Sequence, residues 1–263
     1  MSSIKKTMIL AAGEGTRLRP LTLNTPKTML PVDDIPVIVH IIRWLKLFGI
    51  TEIGINLHYM GYTISDYLDN GSRFGVQIEY SQEDKIMGTA GGVKKMAGFF
   101  GESPFVVVYG DVLTDFNLGK MMDYHVTTGA LTTIALVTVP NTNEKGIVEL
   151  NKQGRILSFV EKPPLGTEKS SLSNGGIYIL EPKVLDYIPE DGFNDFAFDI
   201  FPQMLNDGLP LYGYKLESAD YLIDIGSVEK YRQANRDYVS RKVHARNVYR
   251  NIKRAFFIGE KLE

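Results

Sequence analysis

A chain of 263 residues with 44% apolar and 23% charged side chains can bury a substantial core, and it shows no disordered, collagen-like or repeat signature. A net charge of −2 argues against broad nucleic-acid binding, and the absence of cysteine rules out disulfides and thiolate metal sites. No apolar run approaches the length of a membrane span, and the N-terminal MILAA stretch runs directly into GEGTR, so it reads as a core strand and not a signal peptide; a cytoplasmic location is expected.

In chain order, residues 7–12 read as a buried strand and 36–48 as a helix with proline at its start and glycine just past its end. Residues 53–57 read as a strand, 62–68 as a helix, 76–80 as a strand and 90–100 as a helix. Then come a strong apolar strand at 105–109, a helix at 118–126 and a strand at 131–139. This alternation predicts an α/β fold, a Rossmann-like and mostly parallel sheet flanked by helices. From Gly146 the rhythm shortens, with strands at 147–150, 156–160, 176–180, 211–216 and 221–225, and helices at 182–188 and 198–205. That half reads as a smaller α+β part packed on the first, since no Ser/Gly/Pro-rich linker divides them. A last helix is expected from about Ser227, with Glu229 in its first turn, to about residue 242. The segment 240–254 is basic and free of acids, and reads as a solvated terminal helix. Of the histidines, His40 and His125 lie in helical patterns and His58 and His244 complete a set with no metal-ligand spacing. Trp44 sits on an apolar helix face and reads as core.

The stretch LAAGEGTRLRP follows the first strand. Gly13 and Gly15 allow close backbone approach, and amide groups in such a turn can converge on a phosphate. Arg17 adds a planar charge, and Arg19 and Lys27 lie nearby, which together suggest a polyphosphate site. Leu18 stands where a dinucleotide fingerprint needs glycine, and Leu18–Arg19–Pro20 does not match a Walker loop. Asp111 ends the run FVVVYGD, where open α/β sheets place ligands, and Asp224 lies in YLIDIG. Unpaired carboxylates there are costly unless solvated or metal-bound, so a Mg²⁺ pair is favoured over a pair of turn aspartates.

GEGTRLRP, TPKTMLP, YGDVLTDFNL, VEKP, NGGIY and LIDIGS, in that order, resemble the signature of the sugar-1-phosphate nucleotidylyltransferase family, over about residues 7–238. Within it the YGDVLTDFNL stretch leans towards mannose-1-phosphate guanylyltransferase-like members. The resemblance implies a single nucleotidyltransferase domain over 1–240, its nucleotide-binding half at about 1–140 and its sugar-phosphate half at 141–240, with a basic tail at 241–263. It implies a nucleoside triphosphate and a sugar 1-phosphate as partners, Mg²⁺ as cofactor, and no nucleic acid or membrane; a homo-oligomer is left open. By the same resemblance Ala11, Ala12, Gly13, Glu14, Gly15, Thr16 and Arg17 bind nucleotide, with Lys27 beside Arg17 on the triphosphate and Asp111 and Asp224 on the metal. Lys162 takes the sugar phosphate, Glu161 the sugar hydroxyls and Gly146 a backbone contact to the sugar, while Asn174 offers donor and acceptor to a hydroxyl. Arg17, Lys27, Asp111 and Lys162 form the catalytic set.

Gln82, Gly88 and Thr89 fall where the family reads the base, with Gly88 admitting a flat ring and Thr89 capping the next helix. The run Thr89-Ala90-Gly91 resembles the guanylyl enzymes for mannose or heptose phosphate, although some uridylyl enzymes share it. Two rivals are weighed: a cytidylyltransferase for phosphocholine, disfavoured by VEKP and NGGIY, and a catalytically silent nucleotide-sugar-binding regulator, disfavoured by the intact Arg17, Lys27, Asp111, Lys162 and Asp224. Longer family members append a left-handed β-helix, which is not expected here.

Overall fold

The computed structural model describes residues 4–140, 146–161 and 170–240. The expected site residue Lys162, His244 and the basic tail lie outside these residues. The first apolar run forms β1 (Lys6–Leu10), with Thr7, Met8 and Ile9 buried. A small hairpin of β2 (Pro31–Val32) and β3 (Ile35–Pro36) leads into α1 (Val37–Leu47). Pro36 precedes the first turn, where an N–H would find no helical partner, and Gly49 at φ 78° follows the last. β4 (Glu52–Leu57), α2 (Gly61–Leu68) and β5 (Gln77–Gln82) follow. The helix expected over 90–100 is two, α3 (Gly88–Lys95) and α4 (Ala97–Phe100), parted at Met96.

Next come β6 (Phe105–Tyr109), β7 (Val112–Thr114), α5 (Leu118–Thr128) and β8 (Thr132–Thr138). α5 starts on Asn117, whose Oδ1 accepts from the Lys120 N–H at 3.2 Å. The later half supplies β9 (Gly146–Leu150), β10 (Ile156–Glu161) and β11 (Leu172–Leu180). The helix expected over 182–188 is a 3₁₀ helix, Pro182–Tyr187. Phe196–Ile200 forms a turn of π-helix that passes into α6 (Phe201–Asn206). Regular α-helix starts only there because Pro202 fits a first turn, where its missing N–H is not needed. β12 (Leu211–Lys215), β13 (Leu222–Asp224) and α7 (Val228–Val239) complete the fold.

One nine-stranded sheet runs β10-β9-β11-β6-β1-β4-β5, with β8 on β11 and β12 on β8. It is parallel across β6-β1-β4-β5 and between β8 and β12, as the alternating first half leads one to expect. It turns antiparallel where β11 meets β6, β8 and β9, so the later strands extend the same sheet. Alternate residues feed two cores. Ile9, Val106 and Val108 face the one built with α1 and α7, while Met8, Phe105 and Val107 face the one built with α3 and α6. Tyr178 and Phe105 are fully buried, and each such side chain contributes about 2–3 kcal/mol of burial. Trp44 is buried as expected, its indole donating to the Phe116 carbonyl at 3.0 Å. No helix among the described residues is long and apolar enough to cross a membrane.

His40 is buried inside α1, its Nε2 bonded to the Val32 carbonyl at 2.9 Å. Burial disfavours the imidazolium and pushes its pKa down from 6.5 to about 4. The unfolded chain therefore takes up that proton first as the pH falls. His40 then leaves stability intact above pH 6.5 and removes about 3 kcal/mol between there and pH 4. Urea midpoints measured across this range should fall more steeply for the native chain than for His40→Gln. Equal slopes would show that His40 is not the group responsible.

Candidate active site

The sheet's carboxyl edge gathers the site. β1 is followed by Ala11, whose N–H donates to Asn56 Oδ1 at 2.8 Å. The glycine turn then bends at Gly15, φ 64°, into a short 3₁₀ turn, Thr16–Leu18, that carries Arg17. Thr22 Oγ1 donates to the Gly15 carbonyl at 2.8 Å. A Cβ on Gly15 would stand 3.0 Å from the Lys27 Cβ, so the turn packs directly on the lysine loop. Lys27 opens another 3₁₀ turn and forms an ion pair with Asp111. Gly110 brings that aspartate beside the glycine loop: a Cβ there would lie 2.6 Å from the Leu10 carbonyl.

The partner carboxylate arrives from far along the chain. β13 pairs antiparallel with β7, Asp224 opposite Val112, and the Ile225 N–H donates to the Asp111 carbonyl at 2.9 Å. Asp111 and Asp224 thereby open onto one cavity, together with Arg17, Gly146, Glu161 and Asn174. Six of the residues singled out from the sequence thus line one cavity. Neither aspartate is unpaired, which corrects the expectation above. Lys27 holds Asp111, and Lys230 Nζ lies 2.8 and 3.0 Å from the two Asp224 oxygens. A lysine relieves the same desolvation cost that pointed to a metal.

Asn174 is held at both ends. Its Oδ1 accepts from the Gly176 N–H at 2.9 Å and its Nδ2 donates to the Tyr178 hydroxyl at 2.8 Å. Tyr178 continues to Tyr109 at 3.1 Å, and burial raises the pKa of both phenols, keeping them neutral. A fixed amide leaves one N–H and one lone pair for a ligand.

Gln82, Gly88 and Thr89 do not line this cavity; Gln82 is exposed at the end of β5. Thr89 does not cap α3, which corrects a second expectation. Gly88 takes φ 78°, and the Ala90 and Gly91 N–H groups donate to the Asn194 carbonyl at 2.9 and 3.1 Å instead. Thr89 Oγ1 donates to Asp195 Oδ2 at 2.8 Å and accepts from the Phe196 N–H at 3.0 Å. Asp195 in turn caps the π-helical turn through Oδ1 and lines the cavity. The 87–92 segment is therefore tied to the site through Asp195.

A second tie was not visible in the sequence. Buried Glu83 accepts from Asn56 Nδ2 at 2.7 Å and from the Met87 N–H at 3.0 Å, so it links the glycine loop to the start of that segment. Asp195, Tyr109 and Lys230 also escaped the sequence reading. Only Lys230 left a trace: Ser227-Val-Glu-Lys230 places a cation where a capping box places Glu or Gln. Among the described residues, no three His, Cys, Asp or Glu side chains cluster as a metal site.

The nucleotidyl transferase family model matches residues 6–241. A UTP–glucose-1-phosphate uridylyltransferase of Synechocystis is 40% identical over 251 residues, covering 90% of this chain and 64% of that protein. A mannose-1-phosphate guanylyltransferase of Mycobacterium tuberculosis is 34% identical over 236 residues, covering 88% of this chain and 64% of its own. The chain thus spans about 64% of the length of these curated relatives. The crystal structure of HddC from Yersinia pseudotuberculosis complexed with GMP-PN superposes with a TM-score of 0.76 at 25% identity, covering 89% of this chain and 100% of that one. By sequence and by fold, this chain belongs to the nucleotidyl transferase family.

Proposed function

We propose that this chain joins a nucleoside triphosphate to a sugar 1-phosphate and releases pyrophosphate. The observation that carries this reading is the single cavity shared by Arg17, Asp111, Asp224, Glu161 and Asn174, which puts phosphate-binding charge beside groups suited to sugar hydroxyls. A phosphate oxygen of the sugar phosphate attacks the nucleotide α-phosphorus; that P–O bond forms as the bond to the β-phosphate oxygen breaks. The attacking phosphate is already largely dianionic near neutral pH, so no strong base is required. The work is positioning and charge neutralisation. Arg17 offers a planar fork to the triphosphate and Lys27 a point charge beside it. Asn174 and Glu161 orient the sugar, and Lys162 is assigned its phosphate on the VEKP motif.

Two carboxylates facing one cavity fit Mg²⁺, which binds through one or two carboxylates, water and substrate phosphates and not in an all-protein cage. Asp111 and Asp224 would hold it, and the ion would neutralise charge on the triphosphate. For the base, the Thr89-Ala90-Gly91 run supports GTP with mannose 1-phosphate or a related manno-configured or heptose phosphate. The 40% identity to a uridylyltransferase supports a second reading, UTP with glucose 1-phosphate. A site built on guanine's donor-rich edge discriminates by up to about 10⁴-fold, because a pyrimidine leaves its polar groups unpaired. Four triphosphates assayed against several sugar 1-phosphates by pyrophosphate release should give GTP the highest kcat/KM. A higher value with UTP or dTTP and glucose 1-phosphate overturns the guanylyl reading, and no turnover with any pair overturns the enzyme.

A further inference from the structure

Lys230 stands in a position that helix energetics disfavour. It is the third residue of α7, and its N–H donates to the Ser227 Oγ at 3.3 Å. Positive charge in a first turn opposes the helix dipole, and Ser-x-x-Glu would cap the same turn better. What the side chain gains there is Asp224. First-turn side chains lean back past the N-terminus, which brings Nζ onto both carboxylate oxygens. Asp224 Oδ1 also accepts from the Gly226 N–H at 3.2 Å. Both groups line the cavity, and they keep 36% and 25% of their side-chain surface, so the pair borders solvent that a ligand can replace.

We propose that Lys230 is an exchangeable counter-ion: it occupies the Asp224 carboxylate until a divalent cation claims those oxygens, and the released ammonium then serves as a phosphate ligand in the same cavity. The inference rests on the assignment of Asp111 and Asp224 to the metal. An ammonium and a divalent cation cannot both take the same oxygens at full strength, so the lysine weakens metal binding by the substrate-free chain. A triphosphate reverses the balance, because it brings the metal in and offers Lys230 new oxygens. Metal and polyphosphate then favour each other's binding through this side chain.

The test uses two ligands that demand opposite effects of one substitution. Mn²⁺ binding to the substrate-free chain, followed by the paramagnetic resonance of free Mn²⁺, should be about two- to fivefold tighter in Lys230→Met, the range expected for losing a partly exposed ion pair. Pyrophosphate binding in the presence of Mg²⁺, measured by calorimetry, should be about fivefold weaker in the same variant. Lys230→Arg should restore both values towards those of the native chain, and Lys230→Gln gives a polar alternative should the methionine variant fold poorly. Parallel weakening of both ligands, or unchanged Mn²⁺ binding, overturns the exchange. Asp224→Asn separates the two levels. If it leaves Mn²⁺ binding intact, the metal assignment itself fails and the exchange with it; if it weakens Mn²⁺ while Lys230→Met does not tighten it, only the exchange fails.

Discussion

Asp111→Asn should fold and yet turn over on the order of 100-fold or more slowly, the scale on which a preorganised charge at a reacting phosphate acts. The substitution keeps the shape and one oxygen of the side chain. It removes the negative charge that pairs with Lys27 and lines the same cavity as Asp224. The backbone around it is fixed independently, by the Gly110 N–H on the Leu10 carbonyl and the Ile225 N–H on its own carbonyl, both at 2.9 Å. Circular dichroism should therefore match the native chain while pyrophosphate release collapses. A folded variant retaining near-native kcat would remove Asp111 from the chemistry.

Gly88→Ala should cost about 2–5 kcal/mol of stability. Two costs add. The backbone at φ 78° disfavours an alanine by about 1–2 kcal/mol, and a Cβ there would run into the Asn194 carbonyl, an overpacking cost of about 1–3 kcal/mol. That carbonyl is the acceptor for the first N–H groups of α3, so relief by moving Asn194 would break two hydrogen bonds. Urea unfolding gives the number directly. A loss below about 1 kcal/mol would mean the segment yields easily, and the glycine would then be there for a ligand's approach and not for packing.

That contrast shows where the sequence could and could not be read. β6 was legible to the residue because Phe105–Tyr109 is an unbroken apolar run with turn signals on both sides. The order of the larger elements was legible because strands and amphipathic helices alternate. The hairpin of β2 and β3, at two residues a strand, carries no period to detect. The break at Met96 was hidden because nothing in Lys-Met-Ala interrupts a helical pattern. Six residues picked out by their motifs line one cavity. Their local partners were not marked. Asp195 is 106 residues from Thr89, so only the fold shows that they meet, and Lys230 reaches Asp224 across the turn before α7, where sequence alone does not aim a side chain. Thr89 illustrates the same limit: a threonine beside a helix start reads as a cap until a remote carbonyl takes the helix N–H groups and a remote carboxylate takes the hydroxyl.

The pairing of β7 with β13 also has a bearing on how the molecule is made. Thr114 Oγ1 donates to the Tyr221 carbonyl across 107 residues of chain. At about 5–20 residues per second, a ribosome needs about 5–20 s to add that interval. Throughout it Asp111 has been made without the strand that supplies Asp224 and the N–H of Ile225. The parallel strands β1, β4, β5 and β6 are all encoded upstream of that interval. A nascent chain therefore holds these four strands and half of the phosphate site for seconds before the residues that complete both cores and the second carboxylate are made.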